Sequence, residues 1–77
     1  MSCLAEMKVG SRGRVTTVDG ADDVSLRLLE MGLTPGIEFT LIGTAPLGDP
    51  LEVELRGYRL SIRKSEAKRV EVVTIES

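Results

Sequence analysis

The stretch Leu51-Glu52-Val53-Glu54-Leu55-Arg56-Gly57-Tyr58-Arg59-Leu60-Ser61-Ile62 decides the fold. Apolar and polar residues alternate on both sides of Gly57, and a period of two places every second side chain on one face of an extended strand. Leu51, Val53 and Leu55 therefore share a face, as do Tyr58, Leu60 and Ile62, with Glu52, Glu54, Arg59 and Ser61 turned outward. With almost nothing but Gly57 between them, the two runs are the arms of a tight hairpin. Working outward, Ile37-Glu38-Phe39-Thr40-Leu41 alternates in the same way and is framed by two punctuation clusters, Gly32-Leu33-Thr34-Pro35-Gly36 and Ala45-Pro46-Leu47-Gly48-Asp49-Pro50. Glycine supplies turn conformations closed to other residues and proline removes a ladder donor, so strands stop at both clusters.

Arg14-Val15-Thr16-Thr17-Val18 is rich in β-branched residues and bounded by Gly13 and by Asp19-Gly20, which predicts a first strand. Val70, Val72 and Ile75 predict a last short one, with Thr74 to Ser77 fraying. Between the first two strands, Val24 to Met31 fits about two helical turns, with Asp22 or Asp23 capping its start and Gly32 ending it. Val24, Leu28 and Met31 fall on one face of that helix with Leu29 at its margin, while Leu26 lies on the far side. Leu4 and Met7, one helical turn apart, predict a short capping turn over one end of the core, and Ser65-Glu66-Ala67 permits a single further turn. Residues 1–77 read as one mainly β domain, a small partly open barrel of about five strands with one short inserted α-helix. Closure of this kind hides strand edges that so small a chain could not otherwise protect.

At 77 residues the chain buries only about 60% of the surface its unfolded form exposes, so a large enclosed active site does not fit. Apolar residues at 42% and nearly balanced charges argue for a folded core rather than disorder. A formal net charge of −2, with one Tyr and one Phe, weighs against nucleic acid, which calls for a basic stripe and stacking rings. Cys3 is the single cysteine, so neither an internal disulfide nor a thiolate cluster can form. The first residues lack the apolar run of a signal peptide, and no stretch approaches the ~18 apolar residues of a membrane span. The expectation is a cytoplasmic protein with no direct membrane insertion.

Histidine is absent, which removes the commonest general base and the commonest transition-metal ligand together. No catalytic residue, cofactor or metal site is therefore assigned. Glu52 and Glu54 point the same way on one strand, but opposed arginines across the hairpin explain them as a solvated face. Asp19, Asp22 and Asp23 lack the further ligands of a calcium loop and suit helix capping. The basic pairs Arg63-Lys64 and Lys68-Arg69 are interrupted by Glu66 and Glu71, the pattern of a solvated face. What remains is surface. Leu26 and Leu29 on the helix, Pro46 and Leu47 at a loop tip, and Tyr58 beside Arg56 and Arg59 are the candidate partner-binding residues, an apolar patch with an arginine-tyrosine rim.

Three segments, Leu28-Leu29-Glu30-Met31-Gly32-Leu33-Thr34-Pro35-Gly36, Ala45-Pro46-Leu47-Gly48-Asp49-Pro50 and Arg56-Gly57-Tyr58-Arg59-Leu60-Ser61-Ile62-Arg63, in this order and spacing resemble the ferrous iron transport protein A (FeoA) family. The likeness extends from Leu4 to Val70. It implies an SH3-like barrel and a cytosolic accessory role in ferrous iron uptake without catalysis. It also implies a partner, ferrous iron transport protein B, a membrane transporter whose cytosolic portion carries a GTPase domain; weak self-association stays open. The same domain occurs fused to metal-dependent repressors, so a metal-responsive sensor or iron carrier, using Glu52, Glu54 or the Asp19 to Asp23 loop, is the competing reading. A third would have Arg56 or Arg59 stimulate GTP hydrolysis in the partner.

Overall fold

The computed structural model describes residues 2–76, with Glu76 described by its backbone alone. In chain order the elements are β1 (Ser2–Cys3), a 3₁₀ turn (Leu4–Glu6), β2 (Arg12–Val18), α1 (Asp23–Glu30), β3 (Glu38–Thr44), β4 (Leu51–Leu55), β5 (Tyr58–Ile62), α2 (Lys64–Ala67) and β6 (Val70–Glu76). The strands form one antiparallel sheet in the order β1-β6-β2-β3-β4-β5.

The alternation in the sequence becomes the inside and outside of this sheet. Leu51, Val53 and Leu55 are buried, opposite Ile62, Leu60 and Tyr58 respectively in the β4–β5 register. Burial fades along β5 toward the hairpin tip, from Ile62 at 0% exposure to Tyr58 at 43%. Phe39 and Leu41 from β3, Val15 from β2 and Val72 from β6 complete the centre of the core. The predicted tight hairpin joins β4 and β5 through a two-residue turn, with φ of 51° at Arg56 and 83° at Gly57, the doubly positive form whose twist matches the flanking strands.

One extra residue in a strand bends it and sharpens its twist. Thr16 is such a residue: Val15 pairs with Val72 and Thr17 with Glu71, and the Thr16 hydroxyl donates to the Glu71 carbonyl at 3.1 Å. Ile42 is another, between the Leu41–Val53 and Gly43–Glu52 pairs. These bends curl the sheet without pairing β5 to β1. The opening is bridged by the turn after β1, which packs on α2, the helix after β5; Leu4 and Ala67 are both fully buried there. The architecture is thus the expected partly open barrel with an inserted helix.

Two expectations need correction. The described residues contain six strands rather than about five, because Ser2 and Cys3 pair with Val72 and Glu71. The last strand also continues through the residues expected to fray: Thr74 pairs with Gly13 and Glu76 with Arg12. Both features come from pairing with segments distant in the chain, which local pattern does not reveal. The expected fraying of Ser77 lies outside the described residues, as does Met1.

Candidate docking surface

Helix α1 carries the residues that sequence reasoning set apart. Its start is closed by Asp22, whose Oδ1 accepts from the Ser25 amide at 3.1 Å, while the Asp22 amide donates to Ser25 Oγ at 3.2 Å. This reciprocal capping box satisfies amides that a helix start leaves free. It also lets Ser25 lie buried with its hydroxyl donating to the Asp22 carbonyl at 2.9 Å.

The other end is closed by Gly32, with φ at +115°. The Leu33 amide reaches back to the Leu28 carbonyl and the Gly32 amide to the Leu29 carbonyl, each at 3.1 Å. That pair of bonds is the Schellman closure, and it needs a residue tolerant of positive φ between them. Leu28 and Leu33, the positions whose side chains usually accompany this closure, are both at 0% exposure within the core.

Among the described residues, three side-chain ties fasten the helix to the barrel. Arg69, just before β6, donates from Nη1 to both carboxylate oxygens of Asp22 at 2.6 Å. This guanidinium, with help from the Ser25 amide, pulls the Asp22 carboxyl down to a pKa of about 2. Arg27 pairs with Glu66 of α2. At the C-terminal end, the Tyr58 hydroxyl donates to the Met31 carbonyl at 2.9 Å.

With Leu28 fixed inward, the helical period turns Leu26 out, to 54% exposure. Leu26 and half-buried Leu29 share a face and, with Gly20 and Ala21, line a shallow depression of about 310 Å³ whose rim carries Asp22 and Asp23. The other candidates are dispersed. Arg56 lies at the β4–β5 turn, in a polar groove of about 200 Å³ with Arg12, Glu38, Thr40 and Glu54 on the outer face of the sheet. Arg59 stands opposite Glu54 on that same face. Pro46 and Leu47 occupy the β3–β4 loop, where the Gly48 amide bonds the Ala45 carbonyl at 2.8 Å and fully exposed Leu47 has φ of +78°. That loop and the β4–β5 turn flank opposite ends of β4, a strand of five residues and thus roughly 15 Å long. The seven candidates therefore do not make one patch: Leu26 and Leu29 form a helix face, Tyr58 abuts the end of that helix, Arg56 and Arg59 belong to the outer sheet face, and Pro46 and Leu47 stand at the far loop.

Sequence reasoning missed Arg69, Arg27, Glu66 and Leu33. The basic and acidic positions were visible, but the partner of Asp22 is 47 residues away. Glu52 and Glu54 gain no company: among the described residues no group of three or more His, Cys, Asp or Glu converges to hold an ion. No helix among them is long and apolar enough to cross a membrane.

The FeoA domain model matches residues 3–74. The chain belongs to the FeoA family. Among its relatives is the Fe(2+) transport protein A/Fe(2+) transporter FeoB fusion protein of Porphyromonas gingivalis (strain ATCC BAA-308 / W83), 34% identical over 74 residues, which are 96% of this chain but 9% of that protein. The chain thus spans less than a tenth of that relative. The FeoA-like protein from Clostridium acetobutylicum superimposes with a TM-score of 0.91 at 37% identity, covering 99% of this chain and 88% of the other. Stenotrophomonas maltophilia FeoA, solved with zinc and described as a prokaryotic SH3 domain protein, gives a TM-score of 0.82 at 32% identity, over 95% of this chain and 91% of that one. The FeoA barrel with its inserted helix is therefore of the SH3-like kind.

Proposed function

We propose that this protein is a non-enzymatic accessory factor of ferrous iron uptake that docks, from the cytosol, on the GTPase-bearing portion of a FeoB-type transporter. The face of α1 bearing Leu26 and Leu29 is the contact. The observation that carries this reading is the fusion relative, in which a segment similar to nearly the whole chain is joined to a FeoB transporter. Covalent joining holds two modules at millimolar effective concentration, an arrangement that favours modules which touch. The helix face supports the choice of surface: an apolar side chain half out of a fixed helix, beside a depression, is a site a partner can cover with little reorganisation. The absence of histidine supports a role through contact rather than acid–base chemistry.

The test is Leu26→Asp, measured against the soluble cytosolic portion of the FeoB transporter from the same organism. Circular dichroism and the thermal midpoint are expected to stay near wild type, because Leu26 is outside the core. Affinity is expected to fall ~30-fold or more, the loss typical of a central apolar anchor. Unchanged affinity moves the contact away from α1, and GTP turnover with and without the protein then asks whether Arg56 or Arg59 acts instead. Anaerobic titration with ferrous iron separates the carrier reading. No saturable uptake is expected, and a fixed stoichiometry would replace docking by carriage.

A further inference from the structure

We infer that Tyr58 is a positioning residue: its hydroxyl latches the C-terminal end of α1 and so sets the attitude in which Leu26 and Leu29 meet the partner. This rests on the docking reading above and deepens it. Tyr58 sits at the start of β5, on the parity of the inward residues Leu60 and Ile62, yet is 43% exposed. A tyrosine in that place could touch a partner directly, but its polar end is already engaged, donating to the Met31 carbonyl at 2.9 Å.

Met31 is the residue at which the helix hands over to Gly32, and its carbonyl is among those that a helix end leaves without an intrahelical donor. The Schellman bonds take up the carbonyls of Leu28 and Leu29; Tyr58 takes up the Met31 carbonyl, which they miss. The turn is shaped to receive the ring. A Cβ on Gly32 would fall well inside contact distance of the Tyr58 hydroxyl oxygen and 3.3 Å from Leu55 Cδ1. Position 32 thus serves twice, for its positive φ and for the room it leaves. Of the three ties on α1, Asp22–Arg69 and Arg27–Glu66 are ion pairs at the surface, where salt screens them. The tyrosine tie is neutral and keeps its strength at physiological salt.

The decisive variant is Tyr58→Phe, which keeps the ring and removes the latch. Two readouts are taken. In the free protein, amide hydrogen exchange at Met31, Gly32 and Leu33, whose bonds close the helix end, is expected to accelerate about fivefold, the equivalent of a hydrogen bond of about 1 kcal/mol. Exchange at Val72, in the core strand, is followed alongside as the measure of global unfolding. Affinity for the transporter's cytosolic portion is expected to weaken by about two- to fivefold, because the competent helix attitude is then populated for less of the time. Faster exchange together with weaker binding supports the latch. Unchanged exchange overturns it whatever binding does, since an affinity loss alone marks a tyrosine that touches the partner; faster exchange with unchanged affinity overturns it too. Leu26→Asp, run in parallel, reports on docking itself, so the two ideas fail separately.

Discussion

Replacing Gly32 by alanine should be among the most damaging single-methyl changes in this protein, and its cost can be worked from two independent terms. At φ of +115° an alanine is forced into a conformation L-residues avoid, costing about 1–2 kcal/mol. The new methyl also collides with the Tyr58 hydroxyl. The ring must swing away and release the Met31 carbonyl, losing a bond of about 1 kcal/mol. The sum is about 2–3 kcal/mol, which lowers the thermal midpoint by roughly 10–20 °C for a domain of this size. Urea denaturation followed by circular dichroism reads it as a midpoint shift of about 2–3 M at a slope near 1 kcal/mol/M. The two terms separate in a double-mutant cycle. Tyr58→Phe alone loses the bond, while the pair Gly32→Ala with Tyr58→Phe loses the same bond once and keeps the backbone term. The double variant should thus be more stable than additivity predicts by about 1 kcal/mol. A Gly32→Ala cost under about 0.5 kcal/mol, or strict additivity within experimental error, would refute the steric half of this reasoning.

The two leucines on opposite faces of α1 should behave oppositely. Leu28→Ala, at 0% exposure, should cost about 2–5 kcal/mol in urea denaturation, whereas Leu26→Ala, at 54%, should change stability by no more than about 0.5 kcal/mol. The Asp22–Arg69 tie predicts a pH dependence with a defined sign. Asp22 titrates at about 2 in the fold and at about 3.9 in the unfolded chain, so its contribution is complete above about pH 4 and is lost as pH falls toward 2. Asp22→Asn keeps a competent cap but removes the titration. Its thermal midpoint should therefore fall less steeply than that of wild type between pH 4 and 2, a difference that raised salt narrows.

How much of this was legible in the sequence depended on the range of the interaction. Period two in Ile37 to Leu41, Leu51 to Leu55 and Tyr58 to Ile62 announced β3, β4 and β5, because burial on one face is a local pattern. Asp22 and Gly32 announced the ends of α1, because caps act within a few residues. By contrast β1 is two residues long and exists through its pairing with β6; no propensity window detects it. Leu33 is buried at 0%, yet it follows a glycine in a turn, where neither helical nor strand periodicity applies. The candidate contact residues were chosen for what each exposes, and exposure says nothing about company. The hairpin of β4 and β5 was itself enough to separate Arg56 from Leu47, since they flank opposite ends of one strand. The tie between Tyr58 and Met31, 27 residues apart, required the fold.

The exposure of Leu26 is not in itself a sign of function. Successive residues of a helix are turned by 100°, so a helix that buries Leu28 must present position 26 away from the core, and single exposed leucines are ordinary. What gives the position weight is the manner in which the helix is held. The core receives Leu28, with the closing Leu33, Val24 and Met31 pack partly buried against it, and the rest of the fastening comes from side-chain ties at Asp22, Arg27 and Met31. Those ties use polar groups of α1 and leave the Leu26 and Leu29 face uncovered. A lysine at position 26 would serve the isolated domain equally well, because that face meets water and lysine is a good helix former. Leu26→Lys should accordingly leave the urea midpoint unmoved while weakening binding to the transporter's cytosolic portion by ~30-fold or more, as for Leu26→Asp. Equal binding by the lysine variant would show that the leucine has no more meaning there than any other exposed residue.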